Sequence, residues 1–323
     1  MIQAEVSNVK IQEIARLAGV STATVSRVFS HHPNVRREVS EHVLAVAREH
    51  NYHPRLSGKQ RNIVLLSPYK QLYPSAEFVD MVSAELFCEL AKRRFRIEII
   101  PHDNLERLHE ITFSAAIGIG LEPPEKWDRW FGVPLVVVDK IPARKYPGIG
   151  FVHSDEAQGM ELAIQHLVER GCRKPGALIH GILGSGNVQV RQKALLQSLE
   201  KHHCPALPSL VRVCTQDDFF EEMGKLLQQG IDGVFCGGGS NFGGLAAYCL
   251  SLYGKKIPEE IRLVSSERHR ISRYCIPAQT TITQDYQALA VETISLLEKM
   301  LCGGKPTSLE TVLPYSLIVR DST

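Results

Sequence analysis

Between Ser21 and Arg27 the chain reads STATVSR, followed by Val28. Wound as a helix, this segment turns Val25 and Val28 to one side and Thr22, Ala23, Ser26 and Arg27 to the other. The outward side begins with short side chains and ends in a planar guanidinium. A helix entering the major groove of a duplex needs both, the first to approach the base edges and the second to grip O6 and N7 of guanine. Ser21, Thr24 and Ser26 bring hydroxyls suited to phosphate oxygens, and Asn34 in the turn His31-His32-Pro33-Asn34 can serve the same backbone. The apolar spacing alone would equally describe an inert three-helix bundle. It is the polar face that favours DNA.

A second group of residues follows short apolar runs. Pro68, Tyr69 and Tyr73 come after IVLLS (63–67), Asp139 ends PLVVVD (134–139), and Phe151 lies further on. In a parallel sheet such positions fall beyond the carboxyl ends of the strands, where ligands bind. Turnover is not signalled: no GxSxG, P-loop or HExxH occurs, and no Cys/His pair is spaced for nucleophilic work. The eight cysteines form no CxxC pair, and His202-His203-Cys204 is the nearest approach to a metal cluster. No metal, no cofactor and no enzyme activity are expected. Met1–Lys10 lacks the basic start and apolar core of an export signal, and no run approaches ~18 apolar residues. With free thiols that suit a reducing compartment, this predicts a cytoplasmic chain without a membrane span.

These groups need elements to hold them. Ile11, Ile14, Ala15, Leu17 and Ala18 recur at helical spacing, and Gly19 interrupts where a reversing chain needs a left-handed backbone. Ser21 is placed to cap the next helix, and a third helix, about 37–51, carries Val39, Val43, Val46 and Ala47. From Ile63 onward, some ten short β runs alternate with amphipathic helices. That alternation predicts parallel sheets covered by helices, and the number of strands favours two lobes. Charge divides the chain in the same way. Residues 1–62 hold nine Lys/Arg against five Asp/Glu, whereas the remainder holds 28 against 30. A basic head on a mildly acidic body points to a polyanion partner for the head alone.

The head resembles the DNA-binding head of the LacI/GalR (lactose-repressor) family. IQEIARLAGVSTATVSRVFS (11–30), Pro33-Asn34-Val35 and Asn51-Tyr52-His53-Pro54 carry the likeness. It continues through GVPLVVVDK (132–140), Asp155-Glu156-Ala157-Gln158-Gly159, Arg191 with Ala194-Leu195, and YCIPAQTTITQDYQALA (274–290). The resemblance implies an α/β chain with an N-terminal three-helix helix-turn-helix head. Behind it comes a two-lobed, periplasmic-binding-protein-like (type I) core with two parallel doubly wound sheets. The implied division is a head over 1–52, a short hinge over 53–62 and a core over 63–323. Lobe 1 would take about 63–150 and 284–310, and lobe 2 about 151–283 and 311–323.

The same resemblance puts Thr22, Ala23 and Arg27 on base-reading positions and Ser21, Ser26 and Asn34 nearer the DNA backbone. It adds Asn187, Arg191, Phe219, Glu267 and Gln284 to Tyr69, Tyr73, Asp139 and Phe151 as effector-binding residues. The implied effector is a carbohydrate, with rings against a sugar face and charged groups on hydroxyl pairs. The implied partners are a near-palindromic double-stranded operator and a second copy of the chain, making a homodimer. A non-sugar effector and a stand-alone small-molecule binding protein are the alternatives.

Three stretches depart from the family pattern. Only eight residues, Arg55–Asn62, separate Pro54 from the first strand, too few for a two-turn hinge helix with its flanks. Leu56 is then either a minor-groove wedge or part of a plain linker. The usual CxND loop is replaced by Cys236-Gly237-Gly238-Gly239-Ser240-Asn241, and the usual GFDD by Ser265-Ser266-Glu267-Arg268. The glycine run is either an anion-binding nest of backbone N–H groups or simply a loop.

Overall fold

A computed structural model describes residues 11–29, 35–50, 52, 62–68, 77–124, 127, 131–181, 186–238, 242–267, 271–302 and 309–323. Asn34, Leu56, Tyr69 and Tyr73 lie outside them.

Three helices open the chain: α1 (Ile11–Leu17), α2 (Thr22–Phe29) and α3 (Arg37–Glu49). Each is too short to persist alone, so shared burial must hold them. Ile14, Ala15 and Ala18 meet Val25, Val28 and Phe29, with Val43, Ala47 and Tyr52 closing the cluster. The reversal between α1 and α2 is a double-bonded helix end. The Val20 N–H donates to the Ala15 carbonyl at 3.0 Å and the Gly19 N–H to the Arg16 carbonyl at 3.3 Å. Gly19 sits at φ +64, the left-handed turn this ending requires.

The core holds two six-stranded sheets. In the first, β1 (Asn62–Ser67), β2 (Arg96–Pro101), β3 (Ala115–Ile119), β4 (Leu135–Val138), β5 (Ile149–Ser154) and β11 (Glu310–Leu313) all run parallel, in the order β11-β5-β4-β3-β1-β2. The second contains β6 (Pro175–His180), β7 (Val211–Cys214), β8 (Gly233–Gly237), β9 (Arg262–Ser266), β10 (Thr280–Thr283) and an antiparallel edge, β12 (Ser316–Ile318). β1, β3, β4 and β8 are buried nearly end to end, as strands covered on both faces must be. One face of the first sheet is covered by α4 (Glu77–Lys92) and α9 (Tyr286–Leu301). The second sheet is flanked by α5 (Glu156–Glu169), α6 (Gly186–Lys201), α7 (Phe219–Gln228) and α8 (Phe242–Leu252).

The crossings between lobes differ from expectation by a few residues. The apolar run from Ile149 pairs with β4 and continues to Ser154, so the chain leaves the first sheet there and not at 150. VLPYSLIVR, expected as one strand region, is divided at Pro314-Tyr315. β11 joins the first sheet and β12 the second. Proline has no N–H for a ladder, and the chain changes sheets where it falls.

Gly19→Ala isolates the backbone term of the head, because an added Cβ would meet nothing within 4 Å. The expected cost is about 1 kcal/mol, from the left-handed φ alone. Amide hydrogen exchange across α1 and α2 should report it; unchanged protection would show that the turn does not depend on glycine.

Candidate functional site

Two surfaces carry the residues singled out from the sequence. On the head, Ser21, Thr22, Ala23, Ser26 and Arg27 are exposed and Thr24 is half-buried, while Val25, Val28 and Phe29 are buried beneath them. Ser21 caps α2: the Thr24 N–H donates to its Oγ at 3.0 Å, and the two hydroxyls lie 2.9 Å apart. The first turn of α2 carries no acid. Its positive dipole end is therefore open toward anions, as approach to a phosphate backbone requires.

The second surface is a cavity of about 350 Å³ between the two sheets. The chain folds so that strand ends converge on it. Pro68 follows β1, Gly120 follows β3, Asp139 follows β4, His180 ends β6, Gly238 follows β8, Glu267 follows β9 and Gln284 follows β10. Asn187 and Arg191 reach it from the first turns of α6, and Glu156 from the start of α5.

A buried ion pair lies at its centre. Arg191 donates from Nε to Glu156 Oε2 at 2.6 Å and from an amino group to Oε1 at 2.9 Å, and the Tyr315 hydroxyl donates to Oε1 at 3.1 Å. Gly238 makes room for this guanidinium. At φ +88, a Cβ there would stand 2.8 Å from Arg191 Nη1. Burial pushes the Glu156 carboxyl up, but the charge and hydrogen bonds of Arg191 outweigh it and hold the acid below its ordinary range. Asp139 has no such fork. Gln284 Nε2 donates to its Oδ1 at 3.0 Å, and burial, with Glu156 nearby, raises its carboxyl to about 7. A second pair stands at the edge, where an Arg320 amino group donates to Glu267 Oε2 at 2.6 Å. Burial also lowers His180, keeping the ring neutral.

Asp139, Asn187, Arg191, Glu267 and Gln284 are thus brought together. Two expected aromatics are not. Phe151 is 3% exposed and packs in the hydrophobic layer of the first sheet beside Tyr146, because β5 runs three residues beyond it before reaching the cleft. Phe219 is wholly buried and stands behind Phe242, ring centroids 4.8 Å apart and nearly perpendicular. The rings that do line the cleft are Phe78, Phe242, Tyr286 and Tyr315. Sequence reasoning missed Phe242, Tyr315, His180 and Glu156 in this role. Counting forward from each strand end would have found the last two.

Residues 10–55 match the profile described as bacterial regulatory proteins, lacI family, and residues 164–323 match a periplasmic binding protein-like domain. The ribose operon repressor of Halalkalibacterium halodurans is 24% identical over 97% of this chain and 96% of its own length. Among solved structures, the transcriptional regulator CelR in complex with cellobiose is 22% identical, with a TM-score of 0.71 over 98% of this chain and all of that one. The lac repressor dimer bound to operator and an anti-inducer is 21% identical, with a TM-score of 0.65 over 98% of this chain and 99% of that one. With the head matched at one end, the binding-protein-like core at the other, and repressors aligned along nearly the full length, this chain belongs to the lacI family of bacterial regulatory proteins.

Proposed function

We propose that the chain is a sequence-specific DNA-binding repressor whose operator affinity is set by a small molecule held between the two lobes. The observation that carries this is the exposed face of α2, small at its start and ending in Arg27, on a head separate from a cleft of ligand size. Residues 1–52 serve as the reading head and 53–62 as the linker to the core. In the head, Thr22, Ala23 and Arg27 meet base edges, while Ser21, Thr24, Ser26 and Asn34 meet phosphates.

The effector is a carbohydrate or a relative of one. A relative is named for the ribose operon and a structural neighbour holds cellobiose, and this cleft offers both rings and carboxylates. Two copies act together, since one head on one half-site binds weakly and two-fold symmetry matches a near-palindromic site. Ligand changes the angle between lobes and so the spacing of the heads; a coupling of ~1–3 kcal/mol suffices to change occupancy several-fold. The protein works without turnover in the cytoplasm, in keeping with eight free thiols and, among the described residues, no helix long and apolar enough to cross a membrane.

Arg27→Ala should weaken operator binding by ~1–3 kcal/mol and relax the preference at one base pair, measured by binding to a set of single-base operator variants. Uniform weakening across all duplexes would make Arg27 a phosphate contact instead. The cleft makes a second expectation. The Asp139 carboxyl is raised to about 7, far above its value in an unfolded chain, so the folded protein holds this proton more tightly. Stability contributed at this site is complete below the unfolded value and is lost as pH rises through the folded one. Asp139→Asn should therefore melt above the parent protein at about pH 8, with the difference closing by about pH 4. A difference independent of pH would show that Asp139 is ionised throughout.

A further inference from the structure

We propose that the cleft accepts ligands presenting hydrogen-bond donors, as hydroxyl or ammonium groups, and turns anions away, because Glu156 occupies the guanidinium of Arg191 and leaves Asp139 as the acceptor facing the ligand. This rests on the cleft being the effector site and narrows the class of effector it takes.

Arg191 is the one arginine or lysine among the described residues that line the cavity. Its Nε and one amino group are both spent on Glu156, and its remaining end lies against Gly238. Arg320, close by, is spent too: it donates to Glu267 Oε2, to the Gln279 carbonyl at 2.5 Å and to Thr281 Oγ1 at 3.1 Å. An incoming phosphate or carboxylate would have to displace Glu156, and a buried carboxylate stripped of its partner is strongly unfavourable. Asp139 is arranged the other way. Gln284 donates to its Oδ1, and no described residue donates to Oδ2. A carboxylate has room for about four donors, so a ligand hydroxyl pair or ammonium finds acceptor sites that the protein leaves open. The imbalance lies in the pairing: three cleft carboxylates, two of them neutralised internally and the third available.

The full-length protein titrated with inorganic phosphate, followed by calorimetry and by phosphorus line width, should show no saturable binding. Glu156→Gln, which releases the Arg191 fork, should bind phosphate saturably, and adding Arg191→Met should abolish that binding again. Saturable phosphate binding by the parent protein that Arg191→Met removes would overturn the proposal. So would a folded Glu156→Gln protein that remains blind to phosphate. Should Glu156→Gln fail to fold, the parent titration still decides whether the cleft excludes anions. Ring-matched D-glucose, D-glucosamine and D-glucuronate form a second arm. Glucuronate ranking last supports the proposal, the order of the other two separates hydroxyl from ammonium, and glucuronate ranking first overturns it. Each readout is taken on the cleft alone, so failure here leaves control of DNA binding by some effector intact.

Discussion

A guanidinium placed between two sheets cannot shed its charge, and the crevice around it is organised by how that charge is met. Glu156 meets it with both oxygens, and Tyr315 fixes the acid from the other side. The three residues come from α5, α6 and the loop between β11 and β12, segments far apart in sequence. Removing either charge would leave its partner buried and unpaired, an arrangement that costs several kcal/mol. The pair is therefore weak support for overall stability but a strict condition on the shape of the cleft. Gly238 follows from it, since a side chain there would collide with the fork. Asp139 follows as well, for a second acid beside an arginine already taken is driven toward its protonated form.

Much of the head was legible residue by residue. Its helices are short, its core comes from neighbours in sequence, and Gly19 and Ser21 announce the turn and the cap by type alone. The core was legible as a pattern of apolar runs, because strands covered on both faces must be continuous and hydrophobic. Strand length was harder. Ile149–Ser154 contains a glycine, a histidine and a serine, and its burial comes from pairing with β4 and β11, the latter more than 150 residues downstream. That long-range pairing carried Phe151 into the core and moved the crossing to Asp155.

The cleft was half legible. Asp139 and Gln284 follow strands that can be seen in the sequence, and Arg191 and Asn187 stand in the first turns of a helix that can be seen as well. Phe219 illustrates the limit: an aromatic at a helix start can line a cavity or back the residue that does, and only packing decides. Here Phe242 stands in front of it. Glu156 was hidden for another reason. Beside Asp155, which caps α5 through the Gln158 N–H, it reads as an ordinary acid in a first helical turn.

The chain passes from one sheet to the other at three places, and these lie together. The Asp155 N–H donates to the Leu313 carbonyl, Gln158 and Tyr315 exchange two hydrogen bonds, and Gln284 reaches back to Ser154. Three parallel leaves clamped side by side make a flexure: compliant to bending about the line through them, stiff to sliding and twisting. The lobes of this protein are accordingly left one soft coordinate, opening and shutting like a book. Whatever occupies the gap between its covers is translated into a single angle.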